Sequence, residues 1–174
     1  MALLSVLTFP DPLLRQKARP VTRFDDDLKT LAADMLETMY AEAGIGLAAI
    51  QVGQPRRLVV MDLREGEGED WDERPRTPRT FVNPELLDSE GETVTEEGCL
   101  SVPEYTAEVK RAETIHVRFR TLSGEVREET LDGLAAVCLQ HEMDHLEGKL
   151  FIDRLPPVKR QLVSKRLAKQ ARSA

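Results

Sequence analysis

The stretch 133–146 constrains the fold most, because it joins an apolar first half to the closing sequence His-Glu-Met-Asp-His. Asp132 is a plausible N-cap before it, and Gly148 is a residue of the type that commonly ends a helix. A helix that is apolar nearly all round has to be covered on every side. We therefore predict a central, buried helix around which the other elements pack.

The end of this helix carries a pattern typical of metal sites. His141 and His145 are four residues apart, so they project from one face about 6 Å apart along the axis and can share one ion. Glu142 lies one step round the helix and can take a proton from a water on that ion. With three histidines in the chain, a chance match has a probability of roughly half a percent. Two ordinary core histidines are therefore the weaker interpretation.

A catalytic metal site keeps three protein ligands and one open position, so a third ligand is required. Downstream, Phe151 stands where the longer pattern of the metzincin peptidases needs a histidine. No acid follows Asp153, and both Asp153 and Glu147 are too near the helix to serve. The third ligand is therefore expected upstream of the histidine pair.

Three upstream side chains are candidates for this ligand. Cys138 is one turn before His141 but about 7.5 Å along the axis from the midpoint of the histidine pair, so buried packing is its expected role. His116 falls on the polar side of a predicted strand. Cys99 follows Gly98, which allows a sharp backbone, and a thiolate with two imidazoles favours Fe²⁺ or Zn²⁺. Spacing alone favours Cys99 only moderately over the other two.

A glycine-rich segment, Gly44–Gln51, is the third unusual stretch. Gly44, Gly46 and Ala49 superficially fit a dinucleotide-binding fingerprint, but that motif follows a strand, whereas this segment follows a predicted helix. A helix cap with a small-residue turn explains Gly44 but not the polar Gln51 at the end of an apolar run. Glycines let a ligand backbone approach closely, and an amide can donate to a developing oxyanion. The segment is therefore a candidate substrate contact.

The remaining pattern indicates an α+β fold. Helical spacing follows the acids Asp25–Asp27 and ends at Gly44, and a further helix starts at Pro156. The predicted strands are Arg57–Leu63, Thr80–Asn83 (ended by Pro84), Glu92–Thr95, Glu113–Arg120 and Glu125–Leu131. Strands in runs argue for antiparallel or mixed sheets around the central helix, with N-terminal and C-terminal helices. We expect one catalytic domain, 1–174, in which 156–174 is a basic C-terminal helix.

Charge is distributed unevenly along the chain. The net charge is −7, yet 154–174 contains seven Lys and Arg residues and no acid, so the remaining body carries −14. Such an acidic body argues against nucleic-acid binding outside the tail. Glu65–Glu73 holds six acids and two glycines, which predicts a solvated surface loop.

The sequence also bears on the compartment. No apolar run approaches the roughly 20 residues of a membrane helix. The apolar run Leu3–Phe9 has no basic residue before it and stops at Pro10, which is unlike a secretory signal. Two cysteines are too few for a disulfide scaffold, so both are expected to be thiols in a reducing cytoplasm, with no disulfide partner.

Three segments, in this order and spacing, resemble the signature motifs of the bacterial peptide deformylases. They are Gly44–Gln51 (GIGLAAIQ), Glu97–Ser101 (EGCLS) and Gln140–His145 (QHEMDH). The resemblance spans nearly the whole chain, and EGCLS with a basic C-terminal helix is similar to the group typical of Gram-negative bacteria. The acidic loop Glu65–Glu73 departs from the family pattern but touches no motif.

The resemblance implies a metal-dependent hydrolase that removes the formyl group from the N-terminal formylmethionine of nascent polypeptides and releases formate. One divalent ion, natively Fe²⁺ and replaceable by Zn²⁺, Ni²⁺ or Co²⁺, would be held by Cys99, His141 and His145. The ion would lower the pKa of a water that attacks the formyl carbon. Glu142 would act as general base and then as general acid.

The resemblance also implies how the substrate is held. The oxyanion would be met by the ion, the Gln51 amide and the Leu100 backbone N–H. An extended peptide would pair with Ile45 and Gly46. The implied substrate-binding residues are Ile45, Gly46, Glu97, Gly98, Leu134, Val137, Cys138 and His141. For Leu134 and Val137 ordinary core packing is an equal alternative. Arg111 and Asp144 would be charges behind the metal ligands or, equally, part of a solvated face.

The resemblance further suggests that the basic tail docks on the ribosome near the peptide exit, since its cations suit a phosphate backbone. Alternatively, the helix packs a Leu162/Leu167 stripe on the body, and both can hold at once. Two other functions compete with deformylation. An endopeptidase is disfavoured by Phe151 and by the lack of a downstream glutamate ligand, and a non-catalytic metal-binding or ribosome-associated module would have no use for Glu142.

Overall fold

A five-stranded sheet and a separate two-stranded hairpin make up the β-structure of the computed structural model, which describes the backbone of residues 2–173 and the side chains of 2–172. The strands are β1 (Gly46–Ala48), β2 (Leu58–Met61), β3 (Arg79–Glu90), β4 (Thr93–Cys99), β5 (Val102–Arg111), β6 (Thr114–Arg120) and β7 (Val126–Asp132). The helices are α1 (Asp26–Ala41), α2 (Gly133–Leu146) and α3 (Pro157–Ser173). The large sheet has the order β1-β2-β3-β6-β7, and all pairs of these strands are antiparallel, which confirms the α+β prediction.

Helix α2 has the predicted bounds and packs against β1, β2, β6 and β7 of the large sheet. Its residues 136–139 are buried, but Leu134 in its first turn is 55% exposed, so the covering is incomplete there. Asp132 occupies the N-cap position without a capping hydrogen bond from its side chain. Gly148 follows the helix with a φ of 73°, and a Cβ on it would lie 2.4 Å from the Arg15 carbonyl oxygen, so only glycine fits.

Strand β3 differs from the prediction, because it does not end at Pro84 but continues to Glu90. Its pairing with β6 shifts register between Val82 and Glu85, and Asn83 in that bulge has a φ of 51°. The Asn83 side chain accepts from the Val21 N–H and donates to the Val21 carbonyl. A bulge removes the need for a ladder N–H at Pro84, which is why the strand passes through proline.

The hairpin of β4 and β5 is longer than the sequence indicated. β4 was expected only over 92–95 but extends to Cys99, and β5 was not predicted at all. The register shifts at the tip, where Gly98 pairs with Thr106 and Cys99 pairs with Val102. Alternating burial at Ala107, Val109 and Arg111 shows that one face of β5 is covered. The hairpin therefore places the EGCLS segment at its turn.

The flanking helices complete the layers. Asp25 caps α1 by accepting from the Leu28 N–H, and the chain leaves the helix with the Gly44 N–H bonded to the Met39 carbonyl. Helix α1 buries Leu28 and Met35 in a cluster with residues of β1 and β2. No helix among the residues described here is long and apolar enough to cross a membrane.

Helix α3 packs on the body through fewer side chains than expected. Val163 and Leu167 are buried in a cluster with Val109 and Phe151, but Leu162 is 65% exposed. The predicted Leu162/Leu167 stripe is therefore wrong at Leu162. The two leucines are five residues apart, so at 100° per residue they lie on different sides of the helix.

Candidate active site

Helix α2 and the tip of the β4–β5 hairpin bring a sulfur and two imidazoles together. The Cys99 Sγ lies 3.4 Å from the His145 Nε2, and one ligand atom each from Cys99, His141 and His145 lie within 4.8 Å of one another. This spacing is short enough for all three atoms to bind one ion at ordinary metal–ligand distances. The hairpin thus supplies Cys99, the upstream candidate for the third ligand that sequence spacing alone favoured only moderately.

The other two candidates lie elsewhere. Cys138 is buried, its Sγ lies 4.0 Å from the Ile45 carbonyl oxygen, and burial together with the Glu142 carboxylate raises the pKa of its thiol. His116 is on the outer face of the sheet, where its Nδ1 lies 2.7 Å from the Thr130 hydroxyl. Neither belongs to the three-residue group around His141, and neither cysteine forms a disulfide.

Glu142 is buried beside this group, and its Oε2 has no hydrogen-bond partner among the described residues. Burial raises the pKa of its carboxyl to about 7, which suits a group that both accepts and returns a proton near neutral pH. Burial lowers the pKa of His145, whereas at His141 hydrogen bonds to Cys99 and Glu97 outweigh burial and raise the pKa to about 10.

A buried network of charges lies behind His141. The His141 Nδ1 is 2.8 Å from a Glu97 oxygen, and Arg111 donates to both Glu97 oxygens at 2.8 Å. Arg111 also donates to Asp144 at 2.7 Å. Burial alone would raise the pKa of Glu97, but the hydrogen bonds from Arg111 and His141 lower it to about 2. With the Arg111 side chain 1% exposed, the solvated-face interpretation of Arg111 and Asp144 is wrong.

Gln51 is held in a fixed orientation beside Cys99. Its Oε1 accepts from the Ala48 N–H at 2.9 Å, and its Nε2 donates to the Ser101 hydroxyl at 3.0 Å and lies 3.6 Å from the Cys99 Sγ. Ser101 is fully buried, and no role is predicted for it from the sequence although it belongs to the EGCLS motif. Leu100 lies between Cys99 and Ser101 at the hairpin tip.

A cavity of about 550 Å³ opens onto these groups. Its lining includes the expected residues Ile45, Gly46, Gln51, Glu97, Gly98, Cys99, Leu100, Leu134, Val137, Cys138, His141 and Glu142, but not His145. It also includes Tyr105 and Glu104, which no sequence motif or spacing singles out. Gly46 packs tightly here, because a Cβ on it would lie 2.9 Å from the Cys138 Sγ and 3.1 Å from the Glu142 Cγ.

An α+β body with a Cys/His/His group, a buried glutamate beside it and a substrate-sized cavity defines a class, the HExxH metallohydrolases. Comparison with known proteins then gives the family. The family model described as polypeptide deformylase matches residues 3–161, and the chain belongs to that family.

Bacterial relatives and solved structures agree with this assignment. A peptide deformylase of Rhizorhabdus wittichii is 55% identical over 99% of this chain and 98% of its own length. The structure of a peptide deformylase from Legionella pneumophila has a TM-score of 0.85 at 44% identity, covering 98% of this chain and 96% of that one. The structure from Ehrlichia chaffeensis has a TM-score of 0.86 at 36% identity, with 99% of both chains covered.

The family assignment decides between the competing functions. Members remove the formyl group from nascent polypeptides in a metal-dependent reaction, and this chain is a hydrolase of that kind. The endopeptidase and the non-catalytic module are therefore excluded as its main activity.

Proposed function

We propose that the protein deformylates N-formylmethionyl nascent peptides at the cavity between β1, the β4–β5 hairpin and α2, with Cys99, His141 and His145 as metal ligands. One observation carries this assignment: the three donor atoms converge within 4.8 Å beside a buried Glu142 oxygen that has no hydrogen-bond partner within the described part of the chain. One thiolate and two imidazoles fit a borderline-soft divalent ion. We propose Fe²⁺ as the native ion, with Zn²⁺, Ni²⁺ or Co²⁺ able to replace it.

When bound, such an ion supplies a Lewis acid that lowers the pKa of a water and polarises the formyl oxygen. Glu142 accepts the proton of the attacking water and later delivers it to the departing amine, so that formate is released. Its buried carboxyl, with a pKa of about 7, is suited to both transfers.

The Gln51 amide and the Leu100 backbone N–H are proposed to donate to the oxyanion that forms on the formyl group. Gln51 is well placed because Ala48 and Ser101 fix its amide with one N–H group toward Cys99. A preorganised donor of this kind is worth about 3 kcal/mol in other oxyanion holes.

The substrate is proposed to lie extended along β1. This strand is at the edge of the five-stranded sheet, and its Gly46 end lines the cavity, where a further strand could pair with it. Pairing there would run past Ile45 and Gly46, opposite Glu97 and Gly98 on the other wall of the cavity. The methionine side chain would enter the apolar part lined by Leu134, Val137, Cys138, Ile45 and the His141 ring.

We also propose cytoplasmic action and docking on the ribosome through α3. The cations Lys159, Arg160, Lys165 and Arg166 are all exposed on this helix, and exposed cations suit the phosphates of RNA. The substrate is a chain still emerging from a ribosome, so docking would place the enzyme where the formyl group appears. The two reduced cysteines are compatible with a reducing compartment.

Formate release tests the reaction directly. Protein purified without oxygen and loaded with Fe²⁺ is incubated with formyl-Met-Ala-Ser, and formate and peptide products are quantified. We expect one formate and one intact Met-Ala-Ser for each substrate consumed. Cleavage of a peptide bond, or no formate from metal-loaded protein, would contradict the proposal. Metal analysis of the same anaerobic preparation identifies the bound ion.

A further inference from the structure

Arg154 forms a well-aligned ion pair with Asp144 of α2, and neither residue lines the cavity. Arg154 ends the short 3₁₀ turn Phe151–Arg154, immediately before the segment that leads into α3. Its Nε donates to Asp144 Oδ2 at 2.7 Å and its Nη2 donates to Asp144 Oδ1 at 2.8 Å. Such a bidentate contact fixes the carboxylate plane as well as its position.

This pair is the outer end of a continuous chain of contacts that reaches a metal ligand. Asp144 Oδ2 also accepts from Arg111, whose other donors hold both oxygens of Glu97, and Glu97 Oε1 lies 2.8 Å from His141 Nδ1. The Arg111 and Glu97 side chains are 1% and 7% exposed, whereas the Arg154 side chain is 43% exposed. Arg154 is therefore the member of the chain that solvent reaches most easily.

The charges in this chain balance in pairs, with two guanidinium groups facing two carboxylates. Asp144 accepts hydrogen bonds from both Arg154 and Arg111, whereas Glu97 accepts from Arg111 alone among these two cations. Without Arg154, two carboxylates would share Arg111 in a buried setting, where an unbalanced charge is costly. The position of Arg111 would shift toward Asp144, and Glu97 would be held less firmly.

The same turn touches His141 on a second side. The Phe151 ring lies nearly parallel to the His141 ring, with 6.1 Å between centroids and 26° between planes. Phe151 occupies the sequence position where the metzincin pattern has its third ligand, and here it packs against a ligand ring instead. The turn 151–154 is thus connected to His141 in two ways. Phe151 stacks beside the imidazole ring, and Arg154 reaches the Nδ1 atom through the linked side chains of Asp144, Arg111 and Glu97.

We propose that Arg154 is a positioning residue for His141, acting through Asp144, Arg111 and Glu97 to orient the imidazole so that Nε2 faces the metal. This inference rests on the metal role proposed for His141. Groups behind a metal ligand typically change metal affinity by roughly 10- to 100-fold when removed. Arg154 acts through intermediates, so we expect a smaller change, about three- to tenfold.

The test measures metal affinity rather than turnover. Metal-free wild type, Arg154→Ala and Arg154→Lys are titrated with Zn²⁺ against a chromophoric chelator, and the visible spectra of the Co²⁺ forms are compared. Arg15→Ala is the matched control, since Arg15 is 41% exposed and pairs with Asp153 in the same turn without a link to His141. We expect weaker Zn²⁺ binding and a shifted Co²⁺ spectrum for Arg154→Ala, partial recovery in Arg154→Lys, and no change in Arg15→Ala.

Equal affinity and identical spectra in wild type and Arg154→Ala would overturn the inference while leaving the metal site intact. Equal losses in Arg154→Ala and Arg15→Ala would also overturn it, because they would indicate a general loss of stability. If Arg154→Ala fails to fold, the Arg154→Lys spectrum decides, and an unchanged spectrum counts against the inference. A wild-type chain that binds no Zn²⁺ would instead refute the proposed metal site and this inference with it.

Discussion

Glu142 illustrates how a single side chain is prepared for chemistry by its surroundings. It lies on a helix beside two histidines, in a wall of the cavity, with one carboxylate oxygen unpartnered among the described residues. A buried acceptor without a partner costs free energy in the resting protein. A water or a substrate group that donates a hydrogen bond to this Glu142 oxygen during the reaction would offset that cost.

The first prediction concerns this carboxylate. Glu142→Gln keeps the shape of the side chain but removes its ability to accept a proton, so formate release should fall by about 10²- to 10⁴-fold. Metal content should stay at the wild-type level. Glu147→Gln is the control, because Glu147 lies just beyond α2, pairs with Arg57 at the surface and should keep its activity. Full activity in Glu142→Gln would refute its role as base.

The second prediction separates the two cysteines. Cys99→Ser should weaken or change metal binding, because a hydroxyl is a far poorer ligand than a thiolate for Fe²⁺ or Zn²⁺. Cys138→Ser should retain the metal, since its sulfur contacts the Ile45 carbonyl and lies outside the ligand group. The measurement is metal content after dialysis against a weak chelator. The reverse order of effects would show that the ligand assignment is wrong.

At the scale of elements, the segment after β2 shows how a charged loop is anchored. Asp62 is 1% exposed and accepts from the Arg64 and Thr77 N–H groups and from the Thr77 hydroxyl. Tyr40 of α1 donates its hydroxyl to the same carboxylate. These contacts close the base of the loop that contains the exposed acidic stretch 65–73, so one carboxylate organises both ends of the loop.

The third prediction follows from the titration of Asp62. Burial alone would raise its pKa, but the hydrogen bonds from Tyr40, Arg64 and Thr77 lower it below the unfolded value. Its contribution to stability is therefore complete above the unfolded pKa and is lost as the pH falls through the folded pKa. Asp62→Asn should cost about 2 kcal/mol of unfolding free energy at neutral pH.

Denaturant unfolding of both proteins between pH 7 and pH 3 measures this difference. The gap between wild type and Asp62→Asn should be constant near neutrality and should shrink below about pH 4. Asp72→Asn, a change of an exposed acid in the same loop, should have little effect at any pH. A gap that widens on acidification would contradict the assignment.

At the scale of the whole molecule, the C-terminal end of the chain and the rest of the chain carry opposite net charges. The region 154–174 carries seven cations and no acid, while the body is strongly acidic. Helix α3 is held on the body by Val163 and Leu167, so its exposed cations are fixed in position on a folded surface. A fixed cationic surface on an acidic protein gives it a preferred orientation toward a polyanion.

The fourth prediction tests this surface. Replacing Lys159, Arg160, Lys165 and Arg166 by glutamate should abolish co-sedimentation with ribosomes and leave the melting temperature and formate release from a short peptide nearly unchanged. Wild-type co-sedimentation should weaken steeply between 50 and 200 mM salt, by an order of magnitude or more. A matched set of four glutamines separates loss of positive charge from added negative charge. Ribosome binding that survives the glutamate set would refute α3 as the docking surface.

Local periodicity was enough to predict several parts of the molecule. The bounds of α2 and the pairing of His141 with His145 depend on spacing within one helix, which neighbouring residues determine almost alone. The start of α1 is also determined locally, because Asp25 caps the N-terminus of the helix, as an acid before an apolar run commonly does. The motif segments also contain several of the residues that line the cavity, among them Gln51, Cys99 and His141.

Other features depended on contacts between distant segments. The continuation of β3 through Pro84 required a bulge held by Asn83 and Val21, which are 62 residues apart. The strand β5 went unpredicted, although alternation at Ala107 and Val109 was a usable signal. Ser101 gained a role only because Gln51, 50 residues away, donates to it.

The sequence by itself determined that this chain makes a buried helix bearing two histidines and a glutamate, because that outcome depends on interactions within a few turns. Spacing left the choice between Cys99 and Cys138 open and the family resemblance implied Cys99, but only the tertiary structure shows that Cys99 meets the pair and that Arg111 and Asp144 are buried behind His141. The choice between the cysteines is made by packing the β4–β5 hairpin on α2. Such long-range packing leaves no periodic trace in the sequence, since the free energy of each contact depends on which surfaces the whole fold brings together.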